Sequence, residues 1–291
     1  MSGDDEEIEA SRAPLLEHLV ELRARLIVCM LAFAVGFVIC FFFATQIYVG
    51  LLRPYQMAKG MLAIQQAGGH HGPFDLILAV VGVHPMPNTP PVDLIFTAPL
   101  EFFFVKMKVA GFGAIVLTFP ILATQLYRFV APGLYKRERK AFLPFLLAAP
   151  ILFLMGTALV YFVMLPFVMW FSLSQQIVSG GIRVQLLSKV SDYLDLVTKL
   201  LIAFGLCFQL PVVLSLAGLA GLVNAKQLAG FRRYAVVAIV FVAAIVTPPD
   251  PLSQILLAVP IYGLYEISIW CVRLMELRRK KDDESRDLTV T

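Results

Sequence analysis

Two carboxylates beside long apolar segments are the residues best placed to bind a charged partner. Glu138 lies among basic residues in the segment Phe129–Lys140, between two apolar runs. Glu21 lies in the segment Glu17–Arg25, just before the first apolar run. The distribution of basic residues puts both carboxylates on the same side of a membrane. Together they could therefore receive two cationic side chains.

Each carboxylate also has a simpler structural explanation. Glu21 and Arg25 are four residues apart, the spacing of an ion pair along an exposed helix, which contributes about 0.3 to 0.5 kcal/mol. Because such pairs are common, the residues alone favour this interpretation of Glu21. Glu138 could simply be exposed to solvent, because it is flanked by two charged residues, Arg137 and Arg139. These two arginines would also repel a basic peptide unless they turn away from it, for example toward lipid phosphates.

Composition places the two carboxylates in a membrane protein. The chain is 59% hydrophobic and 15% charged, with a mean hydropathy of +0.81, which is more apolar surface than a soluble domain can bury. Apolar runs of roughly 20 residues match the length of a helix that crosses a ~30 Å hydrocarbon core. We therefore predict an all-α polytopic protein with six membrane spans. The spans are predicted at residues 26–46, 100–122, 141–165, 193–222, 235–246 and 252–272.

The last two predicted spans form a short hairpin. The fifth has only 12 uninterrupted apolar residues, 235–246, which reach about 18 Å as a helix. The segment Thr247–Pro251 contains three prolines, so it predicts a tight reversal, with Asp250 capping the turn. We expect the bilayer to thin, or polar flanks to enter it, at these two short spans.

Lysine and arginine set the orientation, because cytoplasmic loops carry the excess of both. With a cytoplasmic N-terminus, 17 of the 24 basic residues fall on the cytoplasmic side, and an even number of spans returns the C-terminus there. The acidic opening Met1–Glu7 does not resemble a cleavable signal peptide. We expect an acidic disordered tail at 1–13, a six-helix domain at 14–272 and a charged cytoplasmic C-terminal tail at 273–291.

Other chemistries have little support. The net charge of +4 follows from the topological bias, so no nucleic-acid surface is expected. His70 and His71 lie in a glycine-rich loop without further ligands nearby, and no P-loop, zinc-protease or nucleophile-elbow pattern occurs. We therefore expect no enzyme, metal or cofactor. Packing is the simplest role for the four cysteines, which lie at apolar positions without metal-ligand spacing: Cys29, Cys40, Cys207 and Cys271.

A few further residues stand out inside or near the spans. Gln209 falls near the middle of the fourth span, where an unpaired amide is costly, so an interhelical hydrogen bond is its first interpretation. Glu266, in the sixth span, is expected to pair with a cation at the interface rather than relay protons. Pro54 is expected to shape the long loop 47–97. Within that loop the apolar run 74–83 is too short to span the membrane and is expected to cap the outer face.

Five short segments resemble the TatC family, the multispanning core of the twin-arginine protein translocase. They occur in order over nearly the whole chain, at His18–Leu26, Phe129–Arg139, Ser191–Leu194, Ala203–Pro211 and Thr247–Asp250. Each segment is weak evidence alone, whereas all five within six spans are highly specific. Pro54, Asp250 and Glu266 are further matches.

This resemblance implies a receptor in the cytoplasmic (inner) membrane that binds the paired arginines of signal peptides on folded cargo proteins. Carried over to this chain, the carboxylates are Glu21 and Glu138, with Arg23, Phe129 and Gln125 in the surrounding patch. A guanidinium pairs with a carboxylate at two points, whereas a lysine ammonium is a point charge. Twin lysines are therefore expected to bind worse than twin arginines.

The resemblance also implies partners and a source of energy. The partners are single-span TatA and TatB type subunits, membrane lipids and further copies of this chain in a homo-oligomer, and transport is driven by the proton gradient. The family often has a glutamate at the position of Gln209, proposed to meet a polar residue of a single-span partner. Glutamine keeps the hydrogen bond to a partner helix, but it cannot gain and lose a proton as a glutamate does.

The alternative function is a secondary transporter for a small solute. It would use Gln209 and Glu266 near the middle of the membrane. The lack of an internal repeat weakens it, and the lack of a ring of like residues disfavours a passive channel.

Overall fold

A computed structural model describes residues 3–66, 94–130, 139–179, 182–184, 188–247 and 251–290. Within these ranges the protein is helical apart from two short antiparallel strands, β1 (Ile177–Ser179) and β2 (Ile182–Val184). Five residues in a π-helical turn, Val160–Met164, separate the fourth helix from the fifth. The helices are α1 (Gly3–Phe42), α2 (Ala44–Gln66), α3 (Glu101–Val130), α4 (Arg139–Leu159), α5 (Leu165–Ser174), α6 (Val190–Cys207), α7 (Leu210–Leu219), α8 (Ala225–Gly230), α9 (Arg232–Val246) and α10 (Pro251–Val290).

In the described part of the chain, five helical stretches are long and apolar enough to cross a membrane. They coincide with the first four predicted spans and the sixth, at Leu19–Phe42, Glu101–Phe129, Phe145–Ser174, Val190–Leu219 and Ser253–Arg278. The predicted fifth span lies in α9, whose 15 residues form a helix of about 22 Å, shorter than a ~30 Å hydrocarbon core. The sixth was wrongly predicted to be short, because its 26 residues continue as helix beyond the apolar run.

Two segments that were expected to be irregular are at least partly helical. Helix α1 starts at Gly3, where a disordered tail was predicted. Acidic residues favour a helix N-terminus because their negative charge is attracted to the positive end of the helix dipole. Helix α2 covers Ala44–Gln66, the first part of the predicted loop 47–97. The apolar run 74–83 lies outside the described residues, so its capping role stays a prediction.

Close contacts between helices depend on two glycines. Helix α1 packs along α3 in the antiparallel direction, and a Cβ atom at Gly36 would lie 2.7 Å from Cγ2 of Thr118. Helix α4 packs on α6, where a Cβ atom at Gly205 would lie 2.5 Å from the ring of Phe153. That ring also stacks on Phe119, with ring centroids 3.8 Å apart. Larger residues at either glycine would separate the helices.

Pro54 lies inside α2 and not in a loop as predicted. A proline has no N–H to donate to the carbonyl four residues before it, which here belongs to Gly50. The hydroxyl of Tyr161 donates to that carbonyl oxygen at 2.6 Å, and the hydroxyl of Tyr193 donates to the next one, on Leu51, at 2.7 Å. The helix tolerates the proline because side chains from the rest of the bundle satisfy its backbone.

Glu101 joins two helices at the same end of the bundle. Its Oε1 accepts a hydrogen bond from the hydroxyl of Ser191, at the start of α6, at 2.7 Å. Its Oε2 accepts from the backbone N–H of Thr97 at 2.7 Å. The starts of α3 and α6 are therefore tied together at this end, which we call the α2 end. The opposite end, which carries Glu21, is called the Glu21 end.

Candidate functional site

Glu21 pairs with Arg25, one turn further along α1. Nε of Arg25 donates to Oε1 of Glu21 at 3.1 Å, and Nη2 donates to the same oxygen. The side chains of Arg25 and Glu21 are 21% and 34% exposed. The structure therefore contains the intrahelical pair that the residues alone favoured. Because a pair of this kind contributes only about 0.3 to 0.5 kcal/mol, another guanidinium could replace Arg25 at low cost.

Gln125 approaches the same guanidinium from α3. Nη1 of Arg25 donates to Oε1 of Gln125 at 3.4 Å. Since α1 and α3 are antiparallel, the start of the first span meets the end of the second. Arg25 thus brings together two predicted site residues that are 104 positions apart in the sequence. The sequence interpretation did not assign Arg25 to the site, although its spacing from Glu21 was a signal.

For the other predicted residues of the patch, the structure gives position and exposure only, or does not describe them. Phe129 is half-buried one helical turn beyond Gln125 on α3, and Arg23 is exposed on α1, two residues after Glu21. Glu138 lies outside the described residues, so its half of the predicted site stays a prediction. Asp250 also lies outside them, and so does its predicted capping of the turn before α10.

Gln209 hydrogen bonds to two neighbouring helices. It lies between α6 and α7 with 8% of its surface exposed. Its Nε2 donates to the carbonyl oxygen of Ala149 on α4 at 2.9 Å, and its Oε1 accepts from the hydroxyl of Tyr127 on α3 at 3.5 Å. The predicted interhelical hydrogen bond is confirmed, and contact with a partner helix stays a prediction.

Glu266 pairs with a cation, as predicted. Its two carboxylate oxygens accept from Nε and Nη2 of Arg232, at the start of α9, at 2.7 and 2.8 Å. The hydroxyl of Tyr262 also donates to Glu266, at 2.9 Å. The two-point pair fixes the start of α9 against α10.

Helix α10 also holds the short helix α8. The carboxylate of Glu276 accepts from the backbone N–H of Ala225, the first residue of α8, at 2.8 Å. The hydroxyl of Tyr265 donates to the carbonyl oxygen of Leu228 at 2.8 Å. Both ends of α8 are therefore bonded to one face of α10, an arrangement that the sequence interpretation missed.

Known proteins resemble this chain over most of its length. A family model described as the Sec-independent protein translocase protein (TatC) matches residues 17–260. A relative of that name from Magnetococcus marinus is 39% identical over 276 residues, which are 95% of this chain and 90% of the relative. Another, from Aquifex aeolicus, is 34% identical over 272 residues, 92% of this chain and 98% of the relative.

A solved structure is similar in fold as well as sequence. The crystal structure of the twin arginine translocase receptor TatC superposes with a TM-score of 0.66 at 33% sequence identity. The match covers 88% of this chain and 98% of that one. An identity above 30% over this length, together with the matching fold, extends the resemblance to most of the chain.

Proposed function

This chain belongs to the TatC family of Sec-independent protein translocase proteins, in the cytoplasmic (inner) membrane, and we propose that it is the signal-peptide receptor and core subunit of a twin-arginine translocase. In this role it is not an enzyme. It binds the paired arginines of signal peptides on folded cargo proteins, and the proton gradient drives their export. The crystal structure that it resembles is itself described as a twin arginine translocase receptor.

The proposed topology has six spans, with α9 as the short fifth span and both termini in the cytoplasm. Support comes from the 17 of 24 basic residues that fall on one side in this arrangement. The Glu21 end is then cytoplasmic, where a signal peptide meets the receptor before export. Residues 14–272 are proposed as the membrane domain and 273–291 as a charged cytoplasmic C-terminal tail, in which α10 continues to Val290.

The family match and the resemblance to a structure described as a twin arginine translocase receptor carry the receptor proposal, and the pair with Arg25 adds that Glu21 can accept a guanidinium. Arg25 donates from both Nε and Nη2 to one oxygen of Glu21, Oε1, rather than to both oxygens as in a two-point pair. In the proposed mechanism a signal-peptide arginine replaces Arg25 on Glu21. Gln125, which accepts from Arg25, is placed to accept from the incoming guanidinium in the same way.

The second arginine of the signal peptide is proposed to pair with Glu138. Arg23 and Phe129 complete the patch, with Phe129 offering an aromatic surface one turn from Gln125. A partly exposed position strengthens such pairs relative to bulk water without the full penalty of burying a charge. Because lysine lacks the planar fork of arginine, twin lysines bind worse at both carboxylates.

Export requires partners beyond this chain. The proposed partners are single-span TatA and TatB type subunits, membrane lipids and further copies of this chain. Gln209 is proposed to contact a partner helix. Its bonds to Ala149 and Tyr127 use one of the two N–H donors and one of the two acceptor lone pairs of the amide, so capacity for a partner helix remains.

The transporter alternative gains no support from the geometry. Gln209 is bonded to α3 and α4, whereas Glu266 is bonded to Arg232 on α9. The two residues therefore belong to different helix contacts, and their polar groups already have partners within the chain.

Binding of a labelled twin-arginine signal peptide to the detergent-solubilised full chain tests the proposal. We expect Glu21→Ala and Glu138→Ala each to weaken binding strongly, and a twin-lysine peptide to bind the wild type poorly. If both variants bind the twin-arginine peptide as well as the wild type does, the chain does not recognise signal peptides through these carboxylates.

A further inference from the structure

Two consecutive arginines at the start of α9 have different surroundings. Arg232 forms a two-point pair with Glu266. Arg233 lies over the ring of Tyr234, with Cζ 4.8 Å from the ring centroid and Nη2 3.1 Å from the hydroxyl oxygen. Among the described residues, the ion pairs do not include Arg233. Its positive charge is therefore not compensated by a carboxylate in the described part of the chain.

Exposed aromatic rings accompany this charge. Phe231 and Tyr234 are 55% and 57% exposed, and their ring centroids are 5.9 Å apart. Tyrosine beside a basic residue is typical of the level of lipid headgroups. Further along α9 the exposed side chains are purely apolar, for example Val237 at 68% and Phe241 at 65%. The surface thus changes from basic and aromatic to apolar along one helix.

We propose that Arg233, Tyr234 and Phe231 bind the headgroup of an anionic phospholipid. The charge is complementary, and the planar guanidinium can bond two phosphate oxygens at once. Stacking on Tyr234 holds the guanidinium in place while its outer edge stays exposed. The acyl chains of the lipid lie along the exposed apolar side chains of α9. Arg232 does not take part, because its charge is compensated by Glu266, which accepts from its Nε and Nη2.

The proposed lipid site fixes the depth of a short helix. Helix α9 is about 22 Å long, so anchoring its start at the headgroups leaves its other end inside a ~30 Å core unless the bilayer thins. Lipid binding at Arg233 therefore locates the thinning beside α9 and α10. This inference does not depend on how Glu21 binds a signal peptide.

Native mass spectrometry of the full chain tests the site with added phosphatidylglycerol as the probe. The variant Arg233→Gln is compared with Arg232→Gln, which makes the same charge change one residue earlier. We expect Arg233→Gln to bind phosphatidylglycerol about fivefold more weakly than the wild type, and Arg232→Gln to bind it nearly normally. Tyr234→Leu keeps the charge, removes the stacking ring and should weaken binding by a smaller factor.

Two outcomes would overturn the inference. One is equal binding of phosphatidylglycerol by Arg233→Gln and the wild type. The other is an equal loss in Arg233→Gln and Arg232→Gln, which would indicate diffuse attraction between a basic surface and an anionic lipid. Zwitterionic phosphatidylcholine, added in the same way, should bind the wild type and the three variants equally. Thermal unfolding of each variant checks that it is folded before the lipid measurements.

Discussion

The α2 end of the bundle and the site at Glu21 are held by different kinds of polar contact. At the α2 end, hydrogen bonds join residues far apart in sequence, such as Tyr193 with Leu51 and Ser191 with Glu101. At the Glu21 end, the carboxylate pairs with Arg25 on its own helix. Contacts of the first kind stabilise the tertiary structure. A pair of the second kind adds little to it, so its carboxylate can change partners. The comparison teaches that the α2 end is tied by long-range contacts, whereas the Glu21 site is held by a local pair that can be exchanged.

Removing both tyrosine hydroxyls should have the largest effect on stability. In the double variant Tyr161→Phe with Tyr193→Phe, the carbonyls of Gly50 and Leu51 lose their side-chain donors. A buried carbonyl left without a partner costs about 1 to 3 kcal/mol, so we expect a loss of about 2 to 4 kcal/mol. Thermal or denaturant unfolding in detergent measures it. Twin-arginine peptide binding at 20 °C should be unchanged, and a parallel loss of binding would contradict the separation of the two ends.

Neutralising Glu21 should change peptide affinity strongly and stability very little. A hydrogen bond to a charged group contributes about 1.5 to 3 kcal/mol, and partial exposure reduces that value. We therefore expect Glu21→Gln to bind a twin-arginine peptide about tenfold more weakly, with a stability change of no more than about 0.5 kcal/mol. Fluorescence anisotropy and thermal unfolding give the two values.

Glu266→Gln is the matched control for this experiment. It removes the same charge from the pair between α9 and α10, so it should lower the melting temperature and leave peptide affinity intact. Equal losses of affinity in the two variants would show that the net charge of the protein, and not the position of Glu21, controls binding.

Pro54→Ala tests why the α2 end needs a tyrosine. The new N–H can bond to the carbonyl of Gly50, which then no longer depends on Tyr161. We expect Tyr161→Phe to cost at least about 1 kcal/mol less in the Pro54→Ala background than in the wild type. A double-mutant cycle of unfolding free energies measures the difference. Identical costs in both backgrounds would mean that the hydroxyl does not replace the missing backbone donor.

Arg25→Gln should have the smallest effect on peptide affinity, and the direction of the change is informative. If Arg25 occupies the place of the peptide guanidinium, removing it eliminates a competitor that contributes about 0.3 to 0.5 kcal/mol. Peptide affinity should then rise about twofold. Arg128→Gln, the same charge change at an exposed residue of α3 on the Glu21 end, is the control for general electrostatics. A fall in affinity for Arg25→Gln alone would make Arg25 part of the binding site.

The apolar runs made most of the fold predictable. Length and hydropathy located the five long spans and the short α9, because helices in a bilayer must satisfy their own backbone groups. They could not show that Pro54 lies in a helix, since the compensating donors Tyr161 and Tyr193 are more than 100 residues away. The polar residues after the sixth span likewise hid the continuation of α10 as a helix.

The site was predictable only where its contacts are local. The pair of Glu21 with Arg25 follows from their spacing on one helix, and the need of Gln209 for a hydrogen bond follows from its buried position. Which atoms would satisfy Gln209, and that Gln125 would meet Arg25, depend on how α1 and α4 pack on their neighbours. Hydrophobic periodicity shows which residues face inward, but it does not set the register between two helices.

A double-mutant cycle between Glu21 and the signal peptide tests the central claim most directly. Affinities are measured for the wild type and Glu21→Gln, each with a twin-arginine and a twin-lysine peptide. The account predicts a coupling free energy of at least about 1 kcal/mol, because the two-point pair exists only when both the carboxylate and a guanidinium are present. Effects that add to within about 0.3 kcal/mol would contradict it, since Glu21 would then not contact the paired arginines.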